Sequence, residues 1–493
     1  MMTSECFYRS IYFRQMITQR IRTEKFFYQR RLPPIVLALL LNLTEFLLSI
    51  CNYLLLTIGI LFLSLAIEAR FVLGLLLCLI SGDIMLTQKE IGGISIVAGT
   101  AIGASMLALP FATGVAGFWF ACLSMLLCYA FSLVTLFLFL EVTLYCKDAK
   151  ANIISMASMH LGRVGEITTW ITYLILLYTI STSYVTGGGQ LLSTLLQQLE
   201  LDVSLNFSYV LFTVVFGLVA FQGVKLLDRV NQLLLLLMFI SYFGLIFNIG
   251  PLVSLSKLSG GNPSFIFSSI PTTIAAFACH FVVSSLRKNF SNDLSVLKRM
   301  LVVGCSVPLV TYIVYEFLIV SLLPFDGPQG LLAIARSNNQ LGALQAALGE
   351  SGSSVIPALM NSFSNCAILT SFLGVVLALS DFLQDGLGIK GHRFQTQISA
   401  LLTLGPPLLV ALLVPSDSPG FVLALEFSGV IVTFLFGILP VLMAWQARYV
   451  TQMESDYILP GGKVVLVLVG LLSLGVMFNV VATSQHWLPS PRG

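Results

Sequence analysis

Charge is what this sequence has least of. Of its 493 residues only 10% are Asp, Glu, Lys or Arg, against roughly 25% in a soluble domain, so most of its surface does not face water. That scarcity excludes a soluble enzyme, a nucleic-acid-binding protein and a disordered scaffold. Histidine is nearly missing too, with four in the chain, and none of the nine cysteines belongs to a Cys-x-x-Cys pair. No zinc or haem ligand set is present, and no cofactor is expected. Neither His-Glu-x-x-His nor Gly-x-Ser-x-Gly occurs, which leaves a membrane enzyme as a remote alternative. His280 has Cys279 beside it, but neighbours on a helix point about 100° apart and cannot act as a pair.

What the chain does have is apolar length. Apolar residues make up 57% of it, and mean hydropathy is +0.95. Barrel strands would alternate apolar and polar residues; here the apolar residues run on in blocks long enough to cross hydrocarbon as helices. From residue 90 onward eleven spans are expected, at about 90–114, 117–145, 165–188, 206–223, 230–250, 263–286, 300–323, 354–382, 396–414, 420–446 and 463–484. Residues 329–350 are apolar only at intervals (Leu331, Leu332, Ile334, Leu341, Leu344, Leu348), the pattern of an amphipathic surface helix in a loop.

Basic residues test this count. With the start of the first span in the cytoplasm, one set of loops holds Lys147, Lys150, Arg163, Lys225, Arg229, Arg287, Lys288, Lys298, Arg299, Lys390, Arg393, Arg448 and Lys463. The other holds Lys257, Arg336 and Arg492. Thirteen against three is a strong positive-inside bias. A missed or extra span would scramble it.

Residues 1–84 fit less well. Seven Lys or Arg among the first 31 residues precede an apolar run from Leu32 to Ile67. One span there would put the next on the wrong side. Two would leave Glu68 and Arg70 in hydrocarbon, at a cost of several kcal/mol. The expectation is therefore a basic and apolar extension over 1–84, not native to the working protein, with translation starting at Met85 and an eleven-span domain over 85–493. Peptides from residues 1–80 in the membrane-extracted protein would refute it.

Polar features inside the spans mark the candidate chemistry. The first span contains Gly99, Thr100, Ala101, Ile102 and Gly103. Two readings fit: a small-residue face packing against a neighbouring helix, or a helix that breaks and offers backbone N–H and C=O groups to a substrate. The sixth span contains Ala276, Phe277, Ala278, Cys279 and His280, and a histidine within a span is a functional candidate by default. An interruption in span one and a polar feature in span six match a five-plus-five inverted repeat with its site at the midplane.

Specific segments carry a family resemblance: Val97 to Pro110, Gly187-Gly188-Gly189, Val224 to Asn231, Thr370 to Val375, Ser380 to Leu387 and Pro406-Pro407. From Met85 to about residue 485 the chain resembles the hydroxy and aromatic amino acid permeases, the bacterial tryptophan/tyrosine permeases, most nearly of the chlamydial tyrosine permease type. The resemblance implies an all-α polytopic transporter of the amino acid–polyamine–cation superfamily fold. Its repeats would cover about 90–250 and 263–446, with 463–484 as an added eleventh helix. It implies a secondary active transporter in the bacterial inner membrane, importing an aromatic amino acid with a proton, tyrosine favoured and tryptophan next. Alternatives within the fold are sodium coupling or a serine/threonine-type substrate. The implied partners are the amino acid, the proton and the bilayer, with no nucleic acid and no specified oligomeric state.

By the same resemblance, the broken segments of spans one and six hold the substrate. Free N–H groups left by a break from Gly99 to Gly103 would face its carboxylate, freed carbonyls its ammonium, and Phe277, Tyr178 and Tyr184 its ring. One departure stands out. The family pattern in span six reads roughly Ser-Phe-Gly-Phe-His, where this chain has Ala276-Phe277-Ala278-Cys279-His280, so the glycine that eases a break is missing. Coupling needs a group that takes and gives a proton within the spans, and burial shifts the pH at which it does so. His280 and Glu316 are favoured, with Glu141 a further candidate near a span end. A sodium site built from carbonyls and the hydroxyls of Thr370 and Ser371 competes. Asp228, Arg229, Asp381 and Asp385 read as gating or structural charges.

Overall fold

A computed structural model describes residues 87–146, 148, 151–222, 224–290, 293–350, 353–387, 395–415 and 418–491. The chain divides into Met1–Ser64 and Leu65–Gly493, and every described residue belongs to the second unit. The expected boundary at Met85 lies outside the described residues.

The described residues are helical, without a strand. The first span enters as Gln88–Ala101, capped by Thr87, whose side chain receives the Glu90 N–H while Glu90 receives that of Thr87. It breaks at Ile102–Gly103 and resumes as a tight turn, Ala104–Ala108, leading into Leu109–Ala112. The two halves meet at 45°. Pro110 sits in the first turn of the resumed helix, where a missing N–H costs nothing. Span two is Phe118–Tyr145. Span three belongs to Ile153–Gln198, which turns at Gly162 (φ 67°), so its first nine residues form a separate arm. Spans four and five are Leu205–Ala220 and Val224–Ile249.

Span six is also broken, into Ile266–Ala276 and Val282–Phe290. The break therefore forms without the glycine. Spans seven to nine are Leu294–Leu322, Val355–Gly386 and Gln395–Leu413. Gly420–Val450 makes span ten and Gly462–Ser484 span eleven. Eight of these helices are long and apolar enough to cross a membrane by themselves, and the bent first span makes a ninth. The fourth, of 16 residues, is shorter, and the sixth is split at its break.

Spans one, two, six and seven pack together, as do spans three, eight and ten; span ten also lies against span six, and span eleven covers span ten from outside. Large apolar side chains such as Trp119, Leu127, Leu233, Phe247 and Leu471 point outward. In hydrocarbon such faces give no drive to assemble, so close packing and internal hydrogen bonds must hold the bundle. Gly188 and Gly189 show how close it is: a Cβ there would lie 2.2 Å from Phe212 and Tyr209 of span four.

The expected single surface helix at 329–350 is instead two helices, Leu331–Arg336 and Gln340–Gly349, with Leu331, Ile334, Leu341, Leu344 and Leu348 buried. Apolar spacing could not reveal the turn at Ser337–Asn339. Gln190 of span three ties this hairpin down, donating to the Asn338 carbonyl at 2.9 Å.

The end of span two on the basic face is locked twice. Arg287 donates to the carbonyls of Thr143 and Cys146, satisfying groups a helix leaves open at its C-terminus. Arg448 holds Glu141 with two hydrogen bonds, one of 2.7 Å from Nε.

Candidate functional site

The two breaks meet at one hydroxyl. Tyr312, fully buried on span seven, places its Oη 2.7 Å from the Ala101 carbonyl and 2.8 Å from the Ala276 carbonyl. These are the last helical residues before each break. A hydroxyl has one hydrogen, so it serves one carbonyl at a time and leaves the other open to a further donor. Phe277, also fully buried, sets its ring edge-on to Tyr312 at 5.2 Å and to Tyr129 at 6.1 Å.

The resumed half of span one presents the opposite polarity. The Ala104 N–H donates to Ser371 Oγ of span eight at 3.1 Å. Gly103 permits this approach, since a Cβ there would sit 2.6 Å from that oxygen. The Tyr184 hydroxyl of span three interacts with Ser371 and with Ser105. N–H and hydroxyl donors thus gather on one side of the break and carbonyl acceptors on the other, the arrangement an ammonium and a carboxylate on one small molecule require.

Of the residues expected here, Ala101, Ile102, Gly103, Tyr184, Ala276, Phe277 and Ser371 come together. Gly99 and Thr100 do not: the helix continues through them to Ala101, and the Thr100 hydroxyl bonds back to Ile96. The break is narrower than Gly99–Gly103, because Ile102 and Gly103 alone leave helical geometry. Tyr178 is also elsewhere, its hydroxyl donating to the Leu402 carbonyl of span nine at 2.9 Å. Thr370 bonds back to Ala367 on its own helix. Ala278 and Cys279 lie in the break of span six, and the Cys279 sulfur is 3.3 Å from that of Cys305.

The ionisable candidates separate clearly. Glu316 is fully buried on span seven, with Thr113 Oγ 2.9 Å from Oε1; Oε2 has no hydrogen-bond partner among the described residues. Thr113 lies 2.8 Å from the Leu109 carbonyl as well. His280 lies in the break of span six, buried, with Nε2 2.8 Å from Thr135 and its ring stacked on Phe436 at 4.9 Å. Glu141 faces no break: it holds Arg448, Tyr145 and the Leu459 N–H. That ion pair was not visible in sequence, its partners lying 307 residues apart. Asp228 and Arg229 are exposed at the basic face.

A cavity of about 440 Å³ opens on that face. Phe281 and Phe436, the latter stacked on His280, line it together with Asp381 and Asp385 of span eight and Lys288 of span six. Tyr312, Ser105 and Thr113 escaped the reading of the sequence, and Lys288 figured there only as a basic loop charge. The spacing of Tyr312 and Glu316, four apart and hence on one helical face, was the signal available.

Residues 86–482 match the model of the tryptophan/tyrosine permease family. The chain is 32% identical over 408 residues to tyrosine-specific transport system 1 of Haemophilus influenzae, covering 82% of this chain and 99% of that protein. It is 29% identical to the tryptophan-specific transport protein of Pseudomonas aeruginosa, covering 82% and 96%. Among solved structures it is similar in fold to the manganese transporter of Eremococcus coleocola, with a TM-score of 0.53, 13% identity and coverage of 80% and 86%. The chain is a multi-pass membrane permease and belongs to the tryptophan/tyrosine permease family.

Proposed function

We propose that this permease imports an aromatic amino acid together with a proton, tyrosine being the favoured substrate and tryptophan the next. The observation that carries the reading is the meeting of both helix breaks at Tyr312, with carbonyls on one side and the Ala104 N–H, Ser371 and Tyr184 on the other. The substrate ammonium would take the carbonyls and its carboxylate the N–H end. Phe277 and Tyr184 would flank the ring. Tyrosine- and tryptophan-specific relatives support the aromatic class.

Glu316 is the favoured proton carrier. The single Thr113 hydrogen cannot serve both the Leu109 carbonyl and Glu316. A neutral Glu316 supplies the missing hydrogen, and loss of that proton leaves a charge with one shared donor in a dry interior. The Lys and Arg bias supports an inner-membrane orientation with the basic face in the cytoplasm, so the cavity would open inward.

Competition tests the substrate class. Uptake of labelled tyrosine into expressing cells should be reduced by unlabelled tyrosine, tryptophan and phenylalanine and spared by serine. Displacement by serine alone would refute the aromatic assignment.

A further inference from the structure

The cavity on the basic face has more in it than a passage needs. One group of rings comes from three helices: Phe139 of span two packs edge-on against Phe436 of span ten at 5.4 Å, and Phe281 of span six lines the same cavity. Spans three and eight add a second group of rings, where Phe382 lies 5.2 Å from Tyr173 and stacks on Trp170 at 5.5 Å. Two groups of packed rings thus line one cavity, a lining suited to a planar apolar group.

Charges of both signs line the same cavity. Asp381 and Asp385, one turn apart on span eight, bring carboxylates. Span six brings the Lys288 ammonium and the hydroxyls of Ser284 and Ser285. Asp381 and Lys288 are exposed to the cavity. Two groups of rings, a carboxylate and an ammonium complement the three parts of an aromatic amino acid: its ring, its ammonium and its carboxylate. The volume, about 440 Å³, lies within the range of small-ligand sites. A metal does not fit as well, since no cluster of three His, Cys, Asp or Glu side chains suited to an ion exists among the described residues.

We infer that this cavity is a second binding station for the aromatic amino acid, between the helix breaks and the basic face, with Asp381 holding the ammonium, Lys288 the carboxylate and the aromatic lining the ring. The inference rests on the aromatic substrate class proposed above. It gives the permease two substrate sites in series. A molecule leaving the breaks is held once more before release. Substrate accumulated on the basic side fills this station first and blocks further release, so transport slows as that pool rises.

Equilibrium dialysis of the purified full chain against labelled L-tyrosine tests it. Two molecules should bind per chain at saturation. The double variant Asp381→Asn/Lys288→Met removes both charges from exposed side chains with little change of length, and its stoichiometry should fall to one. Tyr312→Phe should weaken the other site and leave the station filled. Tyramine, which lacks the carboxylate, should compete at the station at least tenfold less well than tyrosine. Saturation at one tyrosine in the unaltered chain, or two retained in the double variant, overturns the second station while leaving the aromatic reading intact. If neither tyrosine nor tryptophan binds at all, the aromatic reading itself fails and the station with it.

Discussion

Tyr312 and Glu316 stand one helical turn apart on the same face of span seven, and each reaches a different half of the broken first span. Tyr312 lies 2.7 Å from the Ala101 carbonyl, before the break. Glu316 lies 2.9 Å from Thr113, after it. On the proposed proton-coupled reading, a change of charge at Glu316 and a change of occupancy at the break would act on one helix. That is the physical requirement for coupling two ligands: each must favour the same arrangement of a shared part.

Replacing Tyr312 by Phe keeps the ring against Phe277 and removes the hydroxyl from both carbonyls. Losing a buried hydrogen-bond partner costs about 1–3 kcal/mol. The Michaelis constant for tyrosine uptake should rise roughly tenfold or more, with the protein still reaching the membrane in normal amount. An unchanged Michaelis constant would remove Tyr312 from the site.

Gly103→Ala would place a methyl 2.6 Å from Ser371 Oγ, and uptake should be nearly abolished. Ser371→Ala removes the colliding oxygen, so the double variant should recover part of the lost activity. Such recovery is the mark of residues in contact. Additive losses would mean that the two positions do not meet.

The Glu141–Arg448 pair should matter for stability. Removing one partner of a buried ion pair costs about 3–5 kcal/mol, because the other charge is left uncompensated. Glu141→Gln should therefore lower the unfolding temperature of the detergent-purified protein, and Glu141→Gln/Arg448→Gln should lower it less. If Glu141→Gln leaves stability intact but stops proton-driven uptake, Glu141 belongs to the coupling machinery.

Much of the fold was legible because hydrocarbon imposes a length that apolar runs reveal directly, and because Lys and Arg gather in alternate loops, on one of the two faces. The glycines of span one left a packing face and a break equally open; the structure shows a break, at Ile102–Gly103. The break in span six was less legible, since it runs from Phe277 to Phe281, without a glycine or proline; the Ala276 carbonyl before it is met by Tyr312, 36 residues away. Tyr178 and Tyr184 looked equivalent in sequence. On the helix they are six residues apart and so face different neighbours: Tyr178 turns to Leu402, Tyr184 to Ser371. Glu141 read as a titrating candidate because its partner is remote in sequence. Long-range pairing of polar groups is the information that a periodic apolar pattern does not contain.

Glu316→Gln and His280→Gln separate the two candidates for the proton. Glu316→Gln should keep exchange of labelled for unlabelled tyrosine while losing accumulation against a gradient. His280→Gln should keep both, since its amide can still meet Thr135. The reverse pattern would transfer the role to His280.

The most direct test of proton-coupled aromatic transport is uptake of labelled tyrosine into proteoliposomes holding only this protein, under an imposed proton gradient without sodium. Tyrosine should accumulate above its external concentration, and a protonophore should abolish the accumulation. Accumulation that requires a sodium gradient, or that a protonophore leaves untouched, contradicts it.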